Sequence, residues 1–245
     1  AKLVTSGSNR IEVSLDQVPE HLQWAFIDTE DARFYEHNGI DIQGIGRAAF
    51  IAVSTMNPSE GASTLTQQVL KNNVFTSWTN ETSFISSLKR KIQEQYLALQ
   101  LEKVTDKKTI LESYLNTINL GSNTLGVQAA SLRYFNKDVS KITVSEAAVI
   151  ASITQNPSLY DPITNPKENA KRRKKVLKNM LAAKHITKKQ YKKAIKDDVY
   201  SRIQKVNSKI KKEDKTVYSY FVDEVINQVM EDLQKQKGYS YTQAY

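Results

Sequence analysis

The chain of 245 residues contains no cysteine, which excludes disulfide bonds and thiolate metal sites within it. Its eight glycines are few, and apolar residues recur at helical spacing, which argues against a β-sandwich or barrel. The longest unbroken apolar run covers residues 48–53, far short of the roughly 20 residues that a membrane-crossing helix needs. The chain begins at Ala1 without a signal-peptide pattern, so we expect an excised segment of a longer protein.

Charge is unevenly distributed along the chain. The formal net charge is +9, yet residues 167–215 alone carry 19 Lys and Arg against 5 Asp and Glu, a net of +14. A basic region of this density favours anionic partners such as a phosphorylated substrate, an acidic membrane or nucleic acid. The alternative is a set of solvated helix faces, which is the more common explanation for the outermost lysines.

Helical periodicity dominates the sequence and predicts an all-α, mostly helical fold. The predicted helices cover residues 15–41, 83–103, 105–118, 140–154 and several Lys-rich stretches within 168–212. Between the first two, an apolar segment at residues 42–56 leads into the loop signal Asn-Pro-Ser-Glu-Gly at 57–61. Core packing is the default explanation for that apolar segment.

One acidic pair, Glu30 and Asp31, follows an apolar run in the first predicted helix and precedes Phe34, His37 and Gly39. A glutamate that enters a cleft from a buried helix is partly desolvated, which favours proton uptake near neutral pH, as a general base requires. A solvated acidic helix end is the more common alternative for such a pair.

Two further segments carry polar groups at helical spacing. Ser63 or Thr64 can cap a helix on which Gln68 and Lys71 share one face, an arrangement that suits an anion. Farther along, Arg90 and Glu94 lie one turn apart on a long helix. The alternative for the first pattern is an exposed polar helix face. For the second it is a surface ion pair of little consequence, which is the preferred explanation from these residues alone.

Five segments together resemble the signature motifs of the peptidoglycan glycosyltransferase family (glycosyltransferase family 51), which includes the transglycosylase domains of class A penicillin-binding proteins. They occur in the family's order, at residues 25–41, 60–72, 90–102, 108–116 and 172–180. The first motif is filled at Glu30, Asp31, Phe34, His37, Gly39 and Asp41.

The resemblance implies a lysozyme-like lobe with a smaller membrane-facing jaw built from about residues 42–61. It implies polymerisation of lipid II into β-1,4-linked glycan with inversion and release of undecaprenyl pyrophosphate. Glu30 is expected to be the general base and Glu94 the second carboxylate. The expected substrate-binding residues are Asp31, Phe34, His37, Ser63, Thr64, Gln68, Lys71, Arg90 and Lys167, of which Lys71, Arg90 and Lys167 contact phosphate and Thr64 and Gln68 donate neutral hydrogen bonds.

The same resemblance gives the expected partners, location and domain limits. The partners are lipid II, the nascent glycan on undecaprenyl pyrophosphate, the membrane surface and moenomycin-type inhibitors, but not nucleic acid. No cofactor is required, although a divalent cation, Mg or Mn, fits on a pyrophosphate with carboxylate help. Residues 1–215 are expected to form the glycosyltransferase domain at the extracytoplasmic face of the bacterial plasma membrane, without its anchor helix. Residues 216–245 are expected to begin a linker towards an absent transpeptidase domain.

Two other classes of function remain open at this point. A muramidase-type hydrolase would share the lysozyme-like fold and the two carboxylates but would use water as the acceptor. A basic helical module that binds anionic membrane or nucleic acid would explain the charge but not the five motifs.

Overall fold

A computed structural model describes residues 9–55, 63–74, 84–122 and 124–213, together with positions 228, 229, 232, 233 and 235. The expected all-α fold is confirmed, because this part of the chain contains ten α-helices and a single pair of two-residue parallel strands, β1 (Asn9–Arg10) and β2 (Thr124–Leu125). The helices are α1 (Glu20–Glu30), α2 (Ile42–Thr55), α3 (Leu65–Asn73), α4 (Phe84–Val104), α5 (Lys107–Thr117), α6 (Val127–Phe135), α7 (Val144–Ala151), α8 (Pro166–Ala182), α9 (Lys188–Lys196) and α10 (Val199–Glu213).

The first helix is shorter than predicted, and a continuous helix across residues 15–41 is wrong. A 3-10 turn at Leu15–Gln17 precedes Pro19, and α1 then runs only to Glu30. Asp31 leaves the helical conformation because its carboxylate accepts a hydrogen bond from the Leu65 N–H at 2.9 Å and contacts His37 at 3.0 Å. Glu30 therefore occupies the helix C-terminus, where the chain turns.

The core lies around α1, whose Leu22, Ala25, Phe26 and Ile27 are buried. This face packs against α7 and α8, while α3 packs against α4 and α5. The predicted buried helix at 140–154 is present as α7, which is shorter because a 3-10 turn at Val139–Lys141 precedes it. Its start is fixed by Thr143, which accepts a hydrogen bond from Glu146 N–H.

The long helix α4 exposes apolar side chains that a core helix would bury. Leu88, Ile92, Tyr96 and Leu99 are 51%, 58%, 61% and 38% exposed, and their spacing places them along one stripe. On α2, Ile42 and Phe50 are exposed by 79% and 74%. Core packing is thus the wrong explanation for Phe50, and α2 and α4 both present apolar groups to the surroundings.

Some expectations fall where the structure gives no description. Residues 56–61 of the expected jaw lie outside the described ranges, as does all of the expected linker at 216–245 except positions 228, 229, 232, 233 and 235. Among the helices that are described, none is both long and apolar enough to span a bilayer.

Candidate functional site

A cleft with a volume of about 1020 Å³ opens between the C-terminus of α1, the N-terminus of α3 and one face each of α4 and α8. The start of α2 and the loop after α7 complete its wall. Eight of the eleven predicted site residues line this cleft: Glu30, Asp31, Ser63, Thr64, Gln68, Lys71, Arg90 and Glu94. The fold therefore brings together residues that are up to 64 positions apart in the sequence.

The Glu30 carboxylate is held from three sides while its side chain remains 16% exposed. Its Oε1 accepts a hydrogen bond from the Thr154 hydroxyl at 2.5 Å, and its Oε2 accepts one from Gln68 Nε2 at 3.3 Å. The Arg172 guanidinium lies 3.6 Å from Oε1. A fixed carboxylate that faces a cleft is suited to accept a proton from a bound hydroxyl.

Asp31, Phe34 and His37 build the turn behind Glu30. The Asp31 carboxylate ties the α3 start to His37, as its contacts with Leu65 and His37 show. Phe34 is fully buried, and the Lys107 ammonium lies 4.5 Å from its ring centroid. Phe34 and His37 do not line the cleft, and His37 reaches the α3 start only through Asp31.

The N-terminus of α3 is capped as the sequence predicts. Thr64 Oγ1 accepts a hydrogen bond from Gln67 N–H at 3.2 Å, and its hydroxyl donates to the Gly39 carbonyl at 2.7 Å. The Thr64 hydroxyl proton is therefore used within the protein. Gln68 and Lys71 extend from the same helix into the cleft.

On α4, Glu94 is buried and ion-paired. Lys91 Nζ lies 2.7 Å from Glu94 Oε1 and also donates to the Ser63 hydroxyl at 2.7 Å, whereas Arg90 lies 3.8 Å from Oε2. The sequence suggested Arg90 as the cation that orients Glu94, but Lys91 is the closer partner. Lys91 thereby joins α4 to the start of α3.

Helix α8 contributes two cations that sequence reasoning missed, Arg172 and Lys175, and it does not bring Lys167 to the cleft. Arg172 Nε donates to the Ser152 carbonyl at 3.1 Å, and its guanidinium lies over the Tyr160 ring. Arg173, its neighbour, points into the core and donates to the Ser145 hydroxyl at 2.8 Å. Arg172 and Lys175 are three residues apart within the fifth motif. Because residues three or four apart share one face of a helix, helical periodicity could have identified them as a pair.

Two carboxylates at the cleft margin are also paired. Burial raises the pKa of Asp28, against the opposing effect of His185, whose Nδ1 lies 2.9 Å away. Burial also acts to raise the pKa of Asp41, but the Gly44 N–H and the Arg33 guanidinium outweigh it and hold that pKa below its usual value. These pairs leave their carboxylates poorly placed to compete for a ligand.

Among the residues that the structure describes, seven basic and five acidic side chains line the cleft, so its described wall is cationic in balance. Within the described ranges, Lys71 and Lys175 make no hydrogen bond or ion pair. Two such ammonium groups in a shared cleft favour a multiply charged anion. In that same part of the chain, no group of three or more His, Cys, Asp or Glu side chains is arranged to hold a metal ion. The Mg or Mn expectation stays a prediction.

Comparison with known proteins agrees with the five motifs. Residues 1–181 match the family described as transglycosylase. Penicillin-binding protein 1A of Clostridium botulinum (strain Langeland) is 40% identical over 251 residues, covering 99% of this chain and 29% of the relative. Penicillin-binding protein 1A of Haemophilus influenzae is 44% identical over 78% of this chain and 22% of the relative. Penicillin-binding protein 1A of Escherichia coli is also 44% identical, over 74% of this chain and 21% of the relative.

The match to a crystal structure of penicillin-binding protein 1A from Haemophilus influenzae covers 78% of this chain and 18% of the chain in the crystal. Its TM-score is 0.47 and the sequence identity is 26%. The chain spans less than a third of the length of these curated relatives. Because residues 1–181 match the transglycosylase family, the chain belongs to that family.

Proposed function

We propose that this chain is a peptidoglycan glycosyltransferase domain that polymerises lipid II into β-1,4-linked strands with inversion at the donor anomeric carbon. The observation that carries the proposal is that an oriented carboxylate, Glu30, shares one cleft with the ammonium groups of Lys71 and Lys175, which have no partner among the described residues. Such a reaction needs a base for the acceptor hydroxyl and cations for the departing pyrophosphate.

In the proposed step, the acceptor 4-hydroxyl loses its proton to Glu30 as its oxygen bonds to the donor anomeric carbon. The bond from that carbon to the pyrophosphate oxygen breaks, and the pyrophosphate leaves with the bonding electrons. Thr154 and Gln68 keep the carboxylate aimed at the acceptor. Lys71, Lys175 and Arg90 offset the charge that develops on the leaving group.

Glu94 has a different role in this proposal. Its carboxylate is nearly buried and bonded to Lys91, so it is poorly placed to receive a substrate proton. It fixes Lys91 and Arg90 along the pyrophosphate side of the cleft. Glu94 is thus a positioning residue in the proposed reaction.

Incubation of the purified chain with radiolabelled lipid II tests the proposed activity. A ladder of glycan strands on a gel is the expected product. Release of small sugars would favour the muramidase-type hydrolase, and unconverted substrate would favour a basic binding module. Either of those outcomes contradicts the proposal.

Anion binding should depend on the cleft lysines and not on the lysine at the start of α8. We expect Lys71→Ala and Lys175→Ala each to weaken binding of moenomycin, the phosphoglycolipid inhibitor of this family, by about 1.5 to 3 kcal/mol, because each removes a charged hydrogen bond to phosphate. Lys167→Ala is the matched control, since this exposed lysine does not line the cleft. Calorimetric titration measures all three; equal losses in the three variants would place the phosphate elsewhere.

The exposed apolar residues on α2 and on α4 support contact of both helices with the membrane, at the extracytoplasmic face of the plasma membrane. We expect Phe50→Ser combined with Ile92→Ser to reduce vesicle association about fivefold, because both exposed groups would otherwise enter the lipid interface. Sedimentation with lipid vesicles measures the change. Val104→Ser, an 83% exposed residue off the α4 stripe, is the control and should leave association unchanged.

Thermal unfolding separates this role from ordinary packing. If the double variant melts many degrees lower and still binds vesicles, Phe50 and Ile92 contribute to stability and not to membrane contact.

We also place the end of the glycosyltransferase domain near residue 215. Support comes from α10 (Val199–Glu213), which packs against α6 and so belongs to the same folded unit as the cleft helices.

A further inference from the structure

The turn that follows α8 brings His185 against α1. The His185 N–H donates to the Met180 carbonyl at 3.0 Å and the Lys184 N–H donates to the Leu181 carbonyl at 3.1 Å, which closes the end of α8. Lys184 has φ of +65°, a left-handed conformation that a residue with a side chain adopts only at a cost. The closed turn fixes the direction in which the His185 ring leaves the helix end.

The His185 ring makes one polar and one aromatic contact with α1. Its Nδ1 lies 2.9 Å from both carboxylate oxygens of Asp28, whose side chain is only 2% exposed. The ring also stacks on the Trp24 ring, with the centroids 3.6 Å apart and the planes 11° apart. On α8 itself, Asn179 Nδ2 donates to the Asp28 main-chain carbonyl at 3.2 Å. His185, Asp28 and Asn179 are here called the α1–α8 clasp.

The α1–α8 clasp lies next to the contacts that hold Glu30. Asp28 precedes Glu30 by two residues on the last turn of α1. Arg172, whose guanidinium lies 3.6 Å from Glu30 Oε1, is two helical turns before Asn179 and so shares its face of α8. One face of α8 therefore holds the end of α1 at two points, one at Glu30 and one at Asp28.

The aromatic contact continues to the chain on the other side of Glu30. The Trp24 ring meets the Tyr35 ring edge-on, with centroids 5.7 Å apart, and Tyr35 lies in the turn that follows Glu30. The segments before and after Glu30 are thus packed against the same residue, Trp24, on which His185 rests.

We propose that His185 is a positioning residue for the proposed glycosyl transfer: its hydrogen bond to Asp28 holds the last turn of α1 against α8 and so keeps Glu30 aligned with Arg172. This inference rests on the proposed function. His185 does not line the cleft, whereas Asp28 does, so His185 acts through Asp28. A buried carboxylate that loses its partner is costly, and the end of α1 would move away from α8 to let water reach Asp28.

Two substitutions of His185 separate its two contacts. His185→Asn keeps an N–H donor near the position of Nδ1 and removes the ring, whereas His185→Phe keeps a ring over Trp24 and removes the donor. His21→Phe is the matched control, because His21 is also a half-buried histidine on α1, outside the cleft, with its Nε2 2.7 Å from the Ile142 carbonyl oxygen. Turnover of labelled lipid II at saturating concentration and the melting temperature are measured for each variant.

The expected result is that His185→Phe lowers turnover about tenfold while His185→Asn keeps at least half of the parent turnover. His21→Phe should stay within twofold of the parent, although it too loses a hydrogen bond of α1 and should melt lower. Parent-like turnover by His185→Phe overturns the inference. So does an equal loss in His185→Phe and His185→Asn, which would assign the effect to the ring, or an equal loss in His21→Phe, which would assign it to stability.

Asp28→Ala removes the same contact from α1, so the test does not depend on the folding of one variant. It should lower turnover as much as His185→Phe does, and the double variant should lose no more than either single variant, because both remove one contact. Losses that multiply in the double variant overturn the inference.

A measurement without substrate separates failure of this inference from failure of the proposed function. The Arg172 Nε–H donates to the Ser152 carbonyl at 3.1 Å, and His185 lies beyond the end of α8, about 15 Å along the helix from Arg172. The NMR resonance of this N–H should shift in His185→Phe but not in His185→Asn or His21→Phe. An unshifted resonance in His185→Phe overturns the positioning role even if lipid II is polymerised, whereas a parent chain that leaves lipid II unpolymerised overturns the proposed function whatever the resonance does.

Discussion

Glu30→Gln should lower the rate of lipid II polymerisation by about 100-fold or more, because the amide keeps the shape of the side chain and loses the ability to accept a proton. The Glu30 carboxylate is contacted by Thr154, in the loop after α7, and by Gln68, on α3. The same two residues should hold the glutamine side chain in place. Polymerisation is followed with labelled lipid II, and binding of a phosphoglycolipid inhibitor should be nearly unchanged.

Glu36→Gln is the matched control for this experiment. Glu36 lies on the same turn, is exposed and does not line the cleft, so its loss should leave the rate unaltered. Polymerisation by Glu30→Gln at close to the parent rate would mean that another group is the base.

Gly39→Ala should destabilise the fold by about 3 kcal/mol and inactivate the domain. Gly39 has φ of +85°, and an added Cβ would lie 2.5 Å from the Ala98 carbonyl oxygen on α4. A left-handed conformation costs a side-chain-bearing residue about 1 to 2 kcal/mol, and the backbone clash adds to this. The Gly39 carbonyl also accepts a hydrogen bond from the Thr64 hydroxyl at the start of α3. A displaced Gly39 would therefore shift the start of α3 as well as α4.

Gly46→Ala gives the contrast within the same region. Gly46 lies in α2, and an added Cβ there would meet nothing within 4 Å, so alanine should match or raise stability through its better helix propensity. Urea unfolding measures both variants. Equal stability of Gly39→Ala and Gly46→Ala would contradict the close packing of the Gly39 turn against α4.

Helical periodicity in the sequence predicted the fold class, and the resemblance of five segments to the family motifs predicted most of the residues that line the cleft. Helical periodicity located α4 and α5 to within about two residues, and the Thr64 cap followed from side-chain chemistry at a helix start. The end of α1 could not be predicted, since Asp31 leaves the helix for partners on α3 and at His37. Such a long-range hydrogen bond leaves no trace in periodicity.

The basic residues around the cleft show a second limit of prediction from the sequence. Lys167 and Lys175 are equally basic in the sequence, but they lie about 12 Å apart along α8, and the way in which α8 packs on the core decides which of them reaches the cleft. The apolar spacing on α4 has the same ambiguity, because a stripe of Leu88, Ile92 and Leu99 is equally typical of a core face and of an exposed membrane-facing surface. Pairing of Glu94 with Lys91 rather than Arg90 likewise depends on side-chain geometry.

The decisive measurement is the anomeric configuration of the linkages that the purified chain makes from lipid II, whose donor carbon is α-linked to pyrophosphate. A single displacement, with Glu30 deprotonating the acceptor and the cleft cations holding the leaving group, predicts polymer in which every new linkage is β-1,4 when analysed by NMR. Products with α-linkages, or free reducing sugars in place of polymer, would contradict a glycosyltransferase that works by direct inversion in this cleft.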